Sequence, residues 1–75
     1  SPAPASGELT EREMAVLELV AYGFTDREIA QRLDISARTA STHVSRILGK
    51  LNLENRTQAA HFAFREGLVD KDLEM

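Results

Sequence analysis

The sequence contains no cysteine, so neither a disulfide framework nor a thiolate metal site can hold the fold together. It also lacks any apolar run close to the roughly 20 residues that span a bilayer, and no signal peptide is visible at its start. With 75 residues, the chain is too short for a large active-site cleft between two lobes. These absences favour one small cytoplasmic domain whose stability depends on its own apolar core.

The chain also has no net positive charge. The net charge is −3, whereas domains that bind nucleic acid are usually basic overall. The charge is distributed unevenly, however. Residues 1–35 hold seven acidic and three basic side chains. Residues 36–56 hold one acidic and four basic side chains, and residues 57–75 hold four acidic and two basic ones. Positive charge is therefore concentrated in the central block, which is the part best suited to an anionic partner.

Capping signals mark the first two helices. Thr10 and Glu13 form a T-x-x-E capping box at the start of a first helix. Thr25 and Glu28 repeat the box and predict a short second helix over about residues 26–33.

A tight link of about three residues follows the second helix. Asp34 stands where this turn needs a left-handed backbone, and Ser36 can cap a longer third helix over about residues 37–51. A fourth helix is predicted between Asn55, which begins a further capping box with the glutamine three residues later, and Gly67. The predicted fold is all-α, a four-helix bundle that contains a helix-turn-helix.

The third helix has three distinct faces. One face is an apolar stripe that must be buried in the core. A second face is a row of hydrogen-bond donors that can bind phosphates. The third face carries small side chains apart from one arginine, so the groove of a DNA duplex could approach it closely. The apolar stripe consists of Ala40, Val44, Ile47, Leu48 and Leu51, the donor row of Thr39, His43, Arg46 and Lys50, and the small face of Arg38, Ser41, Thr42, Ser45 and Gly49.

Four stretches carry a resemblance to a known family. In order, they read LTERE, GFTDREIAQRLDIS, RTASTHVSRILGKL and NRTQAAHFAFREGLV, and they cover about residues 9–69. They resemble the DNA-binding domains of the LuxR/NarL/FixJ type, the GerE-like family. The resemblance implies a C-terminal effector domain of a bacterial transcription regulator of the response-regulator kind, joined to a receiver or sensor domain that this chain lacks. RNA polymerase is a further candidate partner. Residues 1–8 would be a linker or an expression remnant, and residues 70–75 an acidic tail.

The resemblance also indicates site residues. Relatives often read T-V-K-x-H-V-x-x-I, whereas this sequence has Ala40 in place of the valine and Ser41 in place of the lysine. Base reading is therefore expected to shift toward Arg38, which can fork onto guanine, and Thr42, whose methyl can meet a thymine methyl. The expected base contacts are Arg38, Ser41, Thr42 and Ser45, and the expected phosphate contacts are Thr25, Thr39, His43, Arg46, Lys50 and Arg56.

The fourth helix has more apolar surface than a core contact needs. Its alanines and phenylalanines span an arc of about 200°, whereas a core stripe needs about 100° or somewhat more. Relatives pair through this helix, so a weak homodimer is expected. The alternative is that the surplus surface packs within the domain, on the first helix and on Leu68 and Val69. The expected dimer contacts are Ala59, Ala60, Ala63 and Phe64.

Two other functions stay open at this point. Region 4 of bacterial sigma factors has similar helices, but it is expected to end with the basic recognition helix, whereas this chain continues with NRTQAAHFAFREGLV. A protein-interaction module without DNA binding would also suit the weak charge and the small exposed residues. No oriented base accompanies the serines, and neither histidine has the partners that catalysis or a metal would need. We therefore expect no enzyme, no cofactor and no metal.

Overall fold

A computed structural model describes residues 9–69 of the chain. Within this range the chain forms four helices and no strand: α1 (Glu11–Ala21), α2 (Asp26–Leu33), α3 (Ala37–Leu51) and α4 (Arg56–Arg65). The predicted all-α fold with a helix-turn-helix is confirmed, α2 and α3 being its two helices. Over the same residues, no helix is both long and apolar enough to cross a membrane. The predictions for residues 1–8 and 70–75 lie outside the described residues.

The first two helices begin at the predicted capping boxes. Thr10 Oγ1 accepts a hydrogen bond from the Glu13 backbone N–H at 3.0 Å, and Glu13 Oε1 accepts one from the Thr10 N–H at 3.0 Å. Thr25 and Glu28 form the same reciprocal pair, at 3.2 and 2.9 Å. Each box satisfies two backbone donors that the start of a helix would otherwise leave unpaired. The local sequence therefore fixes where α1 and α2 begin.

Both ends of α3 are set by short polar side chains. Asp34, in the turn before it, has left-handed backbone angles (φ 60°, ψ 47°), and Asn52, just after it, has φ 58°. Asp and Asn tolerate this region better than most residues other than glycine. Ser36 Oγ begins the helix by accepting the Thr39 N–H at 3.0 Å. The tight turn predicted between α2 and α3 is therefore present.

The start of α4 differs from the predicted capping box. Asn55 Oδ1 accepts the Gln58 N–H at 2.9 Å as expected, but Gln58 Oε1 accepts from the Glu54 N–H at 2.8 Å, one residue earlier than a box requires. The cause is the backbone of Asn55, which is almost fully extended at φ −158°, whereas the caps of α1 and α2 have φ near −75°. The helix is still capped, but Gln58 Oε1 satisfies the Glu54 N–H instead of the Asn55 N–H.

The core lies where α1, α3 and α4 meet, and α2 covers α3. The most extensive packing joins α1 to α4 and α2 to α3. Leu48, predicted to point inward, is only partly buried at the edge of the core, as are Met14 and Leu33. The buried apolar residues are Leu9, Val16, Leu17, Val20, Ala21, Ile29, Ala30, Ala40, Val44, Ile47, Leu51, Ala59, Phe62, Ala63 and Val69.

Two of the residues predicted for a dimer contact belong to this core. Ala59 is 1% exposed and Ala63 is 0% exposed, because the apolar face of α4 packs inside the domain. Neither side chain can offer surface to a second copy, so the prediction is corrected for these two residues. Ala60 and Phe64 keep part of their surface exposed. The surplus apolar surface of α4 is therefore narrower than its sequence suggests.

Candidate nucleic-acid interface

The outer face of α3 is open along its length. Arg38, Ser41, Thr42, Ser45 and Gly49 are all exposed, while the opposite face of the helix is buried in the core. Gly49 does not have a left-handed backbone, and a Cβ added there would meet nothing within 4 Å. Neither the backbone nor packing within the described domain calls for glycine at this position. The face therefore combines one long cation near its start with small side chains after it.

The Thr42 hydroxyl is engaged with its own helix. Thr42 Oγ1 donates to the Arg38 carbonyl oxygen one turn earlier, at 3.0 Å. Such a bond directs the oxygen back along the helix, so the methyl is the part of the side chain that an outside partner meets. On the same exposed face, Thr42 thus offers a methyl group and Arg38 a guanidinium.

The members of the donor row on α3 differ in how far they are exposed to solvent. Thr39 and Arg46 are exposed, and Thr39 Oγ1 accepts a hydrogen bond from Ser36 Oγ at 2.9 Å, which leaves the Thr39 O–H to donate outward. His43 is half-buried, and its Nδ1 is enclosed without a hydrogen-bond partner among residues 9–69. An outside acceptor can therefore reach His43 only through Nε2.

Lys50, the last member of the row, is bound inside the domain. Its Nζ lies 2.7 Å from Glu13 Oε1, and the Glu13 side chain is 5% exposed. The same oxygen accepts the Thr10 N–H, so one carboxylate oxygen connects the last turn of α3 to the start of α1. The hydrogen bond from Lys50 is the main cause that lowers the pKa of Glu13 below its ordinary value of 4.5, the Thr10 N–H adds to it, and burial opposes both. The sequence predicts Glu13 only in the cap; in the structure it also pairs with Lys50, and its own side chain is buried.

Arg56 is also paired within the chain. Its Nη1 donates to Asp26 Oδ1 at 2.7 Å, and its Nη2 donates to the Phe24 carbonyl oxygen at 3.0 Å. These two acceptors flank Thr25, the exposed N-cap of α2. Two of the six predicted phosphate contacts, Thr25 and Arg56, are therefore neighbours at the start of α2, and the other four lie along α3. No local sequence pattern indicates either ion pair, since 37 and 30 residues separate the partners.

The chain is similar to proteins of one known family. A family model described as bacterial regulatory proteins, luxR family, matches residues 7–63. The chain is also similar to the response regulator protein VraR of Staphylococcus aureus strain Mu3, and to proteins of the same name from Staphylococcus saprophyticus and Staphylococcus epidermidis. Each is 49% identical over 61 residues, which is 81% of this chain and 29% of the relative. The chain thus spans less than a third of the length of these relatives.

The match covers most of the chain and all of the helix-turn-helix, including the residues that cap it. The chain therefore belongs to the luxR family of bacterial regulatory proteins, as a DNA-binding domain of a transcription regulator.

Proposed function

We propose that the chain is the sequence-specific effector domain of a bacterial response regulator, and that α3 enters the major groove of double-stranded DNA. The observation that carries this proposal is the open outer face of α3. A B-DNA major groove admits one helix, and small side chains let the helix axis come close to the base edges. The names of the relatives support the response-regulator assignment and, with it, a receiver domain elsewhere in the whole protein.

Four residues of α3 read the bases in this proposal. Arg38 donates two hydrogen bonds to guanine O6 and N7, which is the commonest specific contact in major grooves. Thr42 presents its methyl to a thymine methyl, in keeping with the hydroxyl bond to its own helix. Ser41 and Ser45 are exposed and short, so they reach only the bases nearest the helix axis.

The remaining polar residues hold the DNA backbone. Thr39, Arg46 and the Nε2 of His43 bind phosphates along α3, and Thr25 and Arg56 bind one at the start of α2. Of the six predicted phosphate contacts, Lys50 is the least available to bind DNA. Moving it onto a phosphate would leave Glu13 buried without a cation, at a cost of up to about 3 to 5 kcal/mol, whereas an exposed ion pair returns only about 0 to 1 kcal/mol.

The proposal is tested by separating base reading from phosphate binding. Arg46→Ala should weaken binding to all sequences and make the salt dependence of log K shallower by about 0.9, the value for one phosphate contact. Arg38→Ala should cost about 1 to 3 kcal/mol on the preferred site and relax selectivity at one base position. Arg65→Ala removes the same charge from the last turn of α4 and serves as the control.

The measurement is a fluorescence-anisotropy titration between about 50 and 200 mM salt. It uses one duplex selected from a random pool and one scrambled duplex of the same composition. If Arg38→Ala loses as much affinity on the scrambled duplex as on the selected one, Arg38 does not read a base. If the wild-type chain binds the two duplexes equally, the domain is not sequence-specific.

A further inference from the structure

The ion pair between Arg56 and Asp26 lies next to the proposed phosphate contact at Thr25. We propose that Asp26 limits the DNA affinity of the domain by holding Arg56, and that a DNA phosphate replaces Asp26 on the Arg56 guanidinium when the domain binds. This inference rests on the proposed function, and it concerns which residue sets the strength of binding.

The geometry of Arg56 suits an exchange of anions. Asp26 Oδ1 lies 2.7 Å from Nη1, and a phosphate oxygen is an acceptor of the same kind for the same N–H. The Phe24 carbonyl oxygen accepts from Nη2 at 3.0 Å, so the guanidinium stays in place after the carboxylate leaves. A guanidinium has five N–H donors, and these two bonds use only two of them. Arg56 is therefore positioned before DNA arrives.

The exposure of the pair makes the exchange easy. The Arg56 and Asp26 side chains are 40% and 33% exposed, and pairs that meet water to this degree are held weakly. Arg56 also borders a surface cleft of about 270 Å³, together with Phe24, Thr57 and Ala60, so there is open space beside the guanidinium. The pair between Lys50 and Glu13 offers no such access on its acidic side. Of the two cations, Arg56 is the one that can change partner.

Asp26 also stabilises the free domain. It is the first residue of α2, and a carboxylate in the first turn interacts favourably with the helix dipole. The same charge repels a phosphate approaching Thr25 and competes for Arg56. Asp26 therefore stabilises α2 when DNA is absent and opposes binding when DNA is present.

The test replaces Asp26 in the 75-residue chain. Asp26→Asn keeps the shape of the side chain and removes its charge. It should raise affinity for the selected duplex about two- to fivefold, because DNA no longer competes with a carboxylate. The salt dependence should stay that of the wild type, since Arg56 neutralises one phosphate in both proteins. Arg56→Ala should make the slope of log K against log salt concentration shallower by about 0.9. In the Arg56→Ala background, Asp26→Asn should raise the affinity no more than the control substitution Glu66→Gln does.

Glu66→Gln is the matched control, because it removes one negative charge from the far end of α4. The proposal is overturned if Asp26→Asn gains no more than Glu66→Gln, or if its gain persists in full without Arg56. Asp26→Ser repeats the test should the Asn variant melt at a lower temperature. A wild-type chain that does not bind DNA would instead refute the proposed function, so the two failures are distinguishable.

Discussion

At the scale of single residues, Glu13 has two roles, of which the sequence predicts only the first. It completes the capping box of α1, and it neutralises Lys50 at the end of α3. Its side chain is 5% exposed, so its charge is held by these contacts more than by water. The charge state of this one carboxyl group should therefore affect the stability of the whole domain.

We predict that Glu13→Gln lowers the free energy of unfolding by about 1 to 3 kcal/mol near neutral pH. This is less than the about 3 to 5 kcal/mol typical of fully buried pairs, because Lys50 keeps contact with solvent. The folded-state pKa of Glu13 lies below its ordinary value of 4.5, so the ionised form favours folding. This stabilisation is complete above about pH 4.5 and is lost as the pH falls through the lowered folded pKa.

Urea denaturation of wild type and Glu13→Gln at several pH values measures this effect. The difference in unfolding free energy should be constant between about pH 5 and 7 and should shrink below about pH 4. Glu28→Gln, which alters the exposed capping box of α2, is the control. A difference between wild type and Glu13→Gln that is the same at pH 3 and pH 7 would contradict the assigned role of the Lys50 pair.

At the scale of the element, α3 contains a glycine that its own domain does not require. Glycine inside a helix costs about 0.5 to 1 kcal/mol relative to alanine, and the space around a Cβ at Gly49 is open. We predict that Gly49→Ala raises the free energy of unfolding by about that amount. If DNA approaches this part of α3 closely, the same variant should bind DNA more weakly although it is more stable.

Thermal denaturation and DNA titration of the same samples separate the two effects. The control is Asn52→Gly, which changes stability just after α3 at a left-handed position without adding volume to the outer face. Unchanged DNA affinity in Gly49→Ala would show that the DNA stays clear of this turn. A loss of stability would show that the space beside Gly49 is not open.

The elements were predictable because their signals are local. Capping boxes, a left-handed aspartate and an apolar stripe each lie within a few residues, and the helix starts at Thr10, Thr25 and Ser36 followed from them. The missed features are contacts between distant parts of the chain. A helical wheel cannot tell which part of an apolar arc another helix covers, so Ala59 and Ala63 were placed on the surface. The partners of Lys50 and Arg56 lie on other helices, where sequence spacing carries no information.

At the scale of the whole molecule, α4 has both core and exposed apolar residues. Ala60 and Phe64 lie one turn apart at the edge of the core, and both keep some exposed surface. We propose that they form a weak contact between two copies of the domain. Two reading helices would then lie on half-sites about one DNA turn apart, and each half-site would raise the effective concentration of the second copy.

We predict that Ala60→Glu stays folded and loses cooperative binding to two half-sites, because a charge cannot be buried unpaired in a small apolar contact. Sedimentation with and without an inverted-repeat duplex gives the measurement. Gln58→Glu places the same charge on the exposed side of α4 and should bind like wild type. Wild-type cooperativity in a folded Ala60→Glu protein would show that α4 contributes no dimer contact.

The oxygen that Lys50 shares with Thr10 also bears on how the domain opens and closes. Helix ends usually fray independently and exchange their amide hydrogens quickly. Here Glu13 Oε1 connects the start of α1 to the last turn of α3, so neither end can open without losing contacts at the other. We therefore expect the two ends to open together, so that amide exchange at the start of α1 and at the last turn of α3 should respond alike to a loss of the Glu13 contacts. For the DNA binding proposed above, part of the ordering that binding usually requires would then already be complete in the free domain.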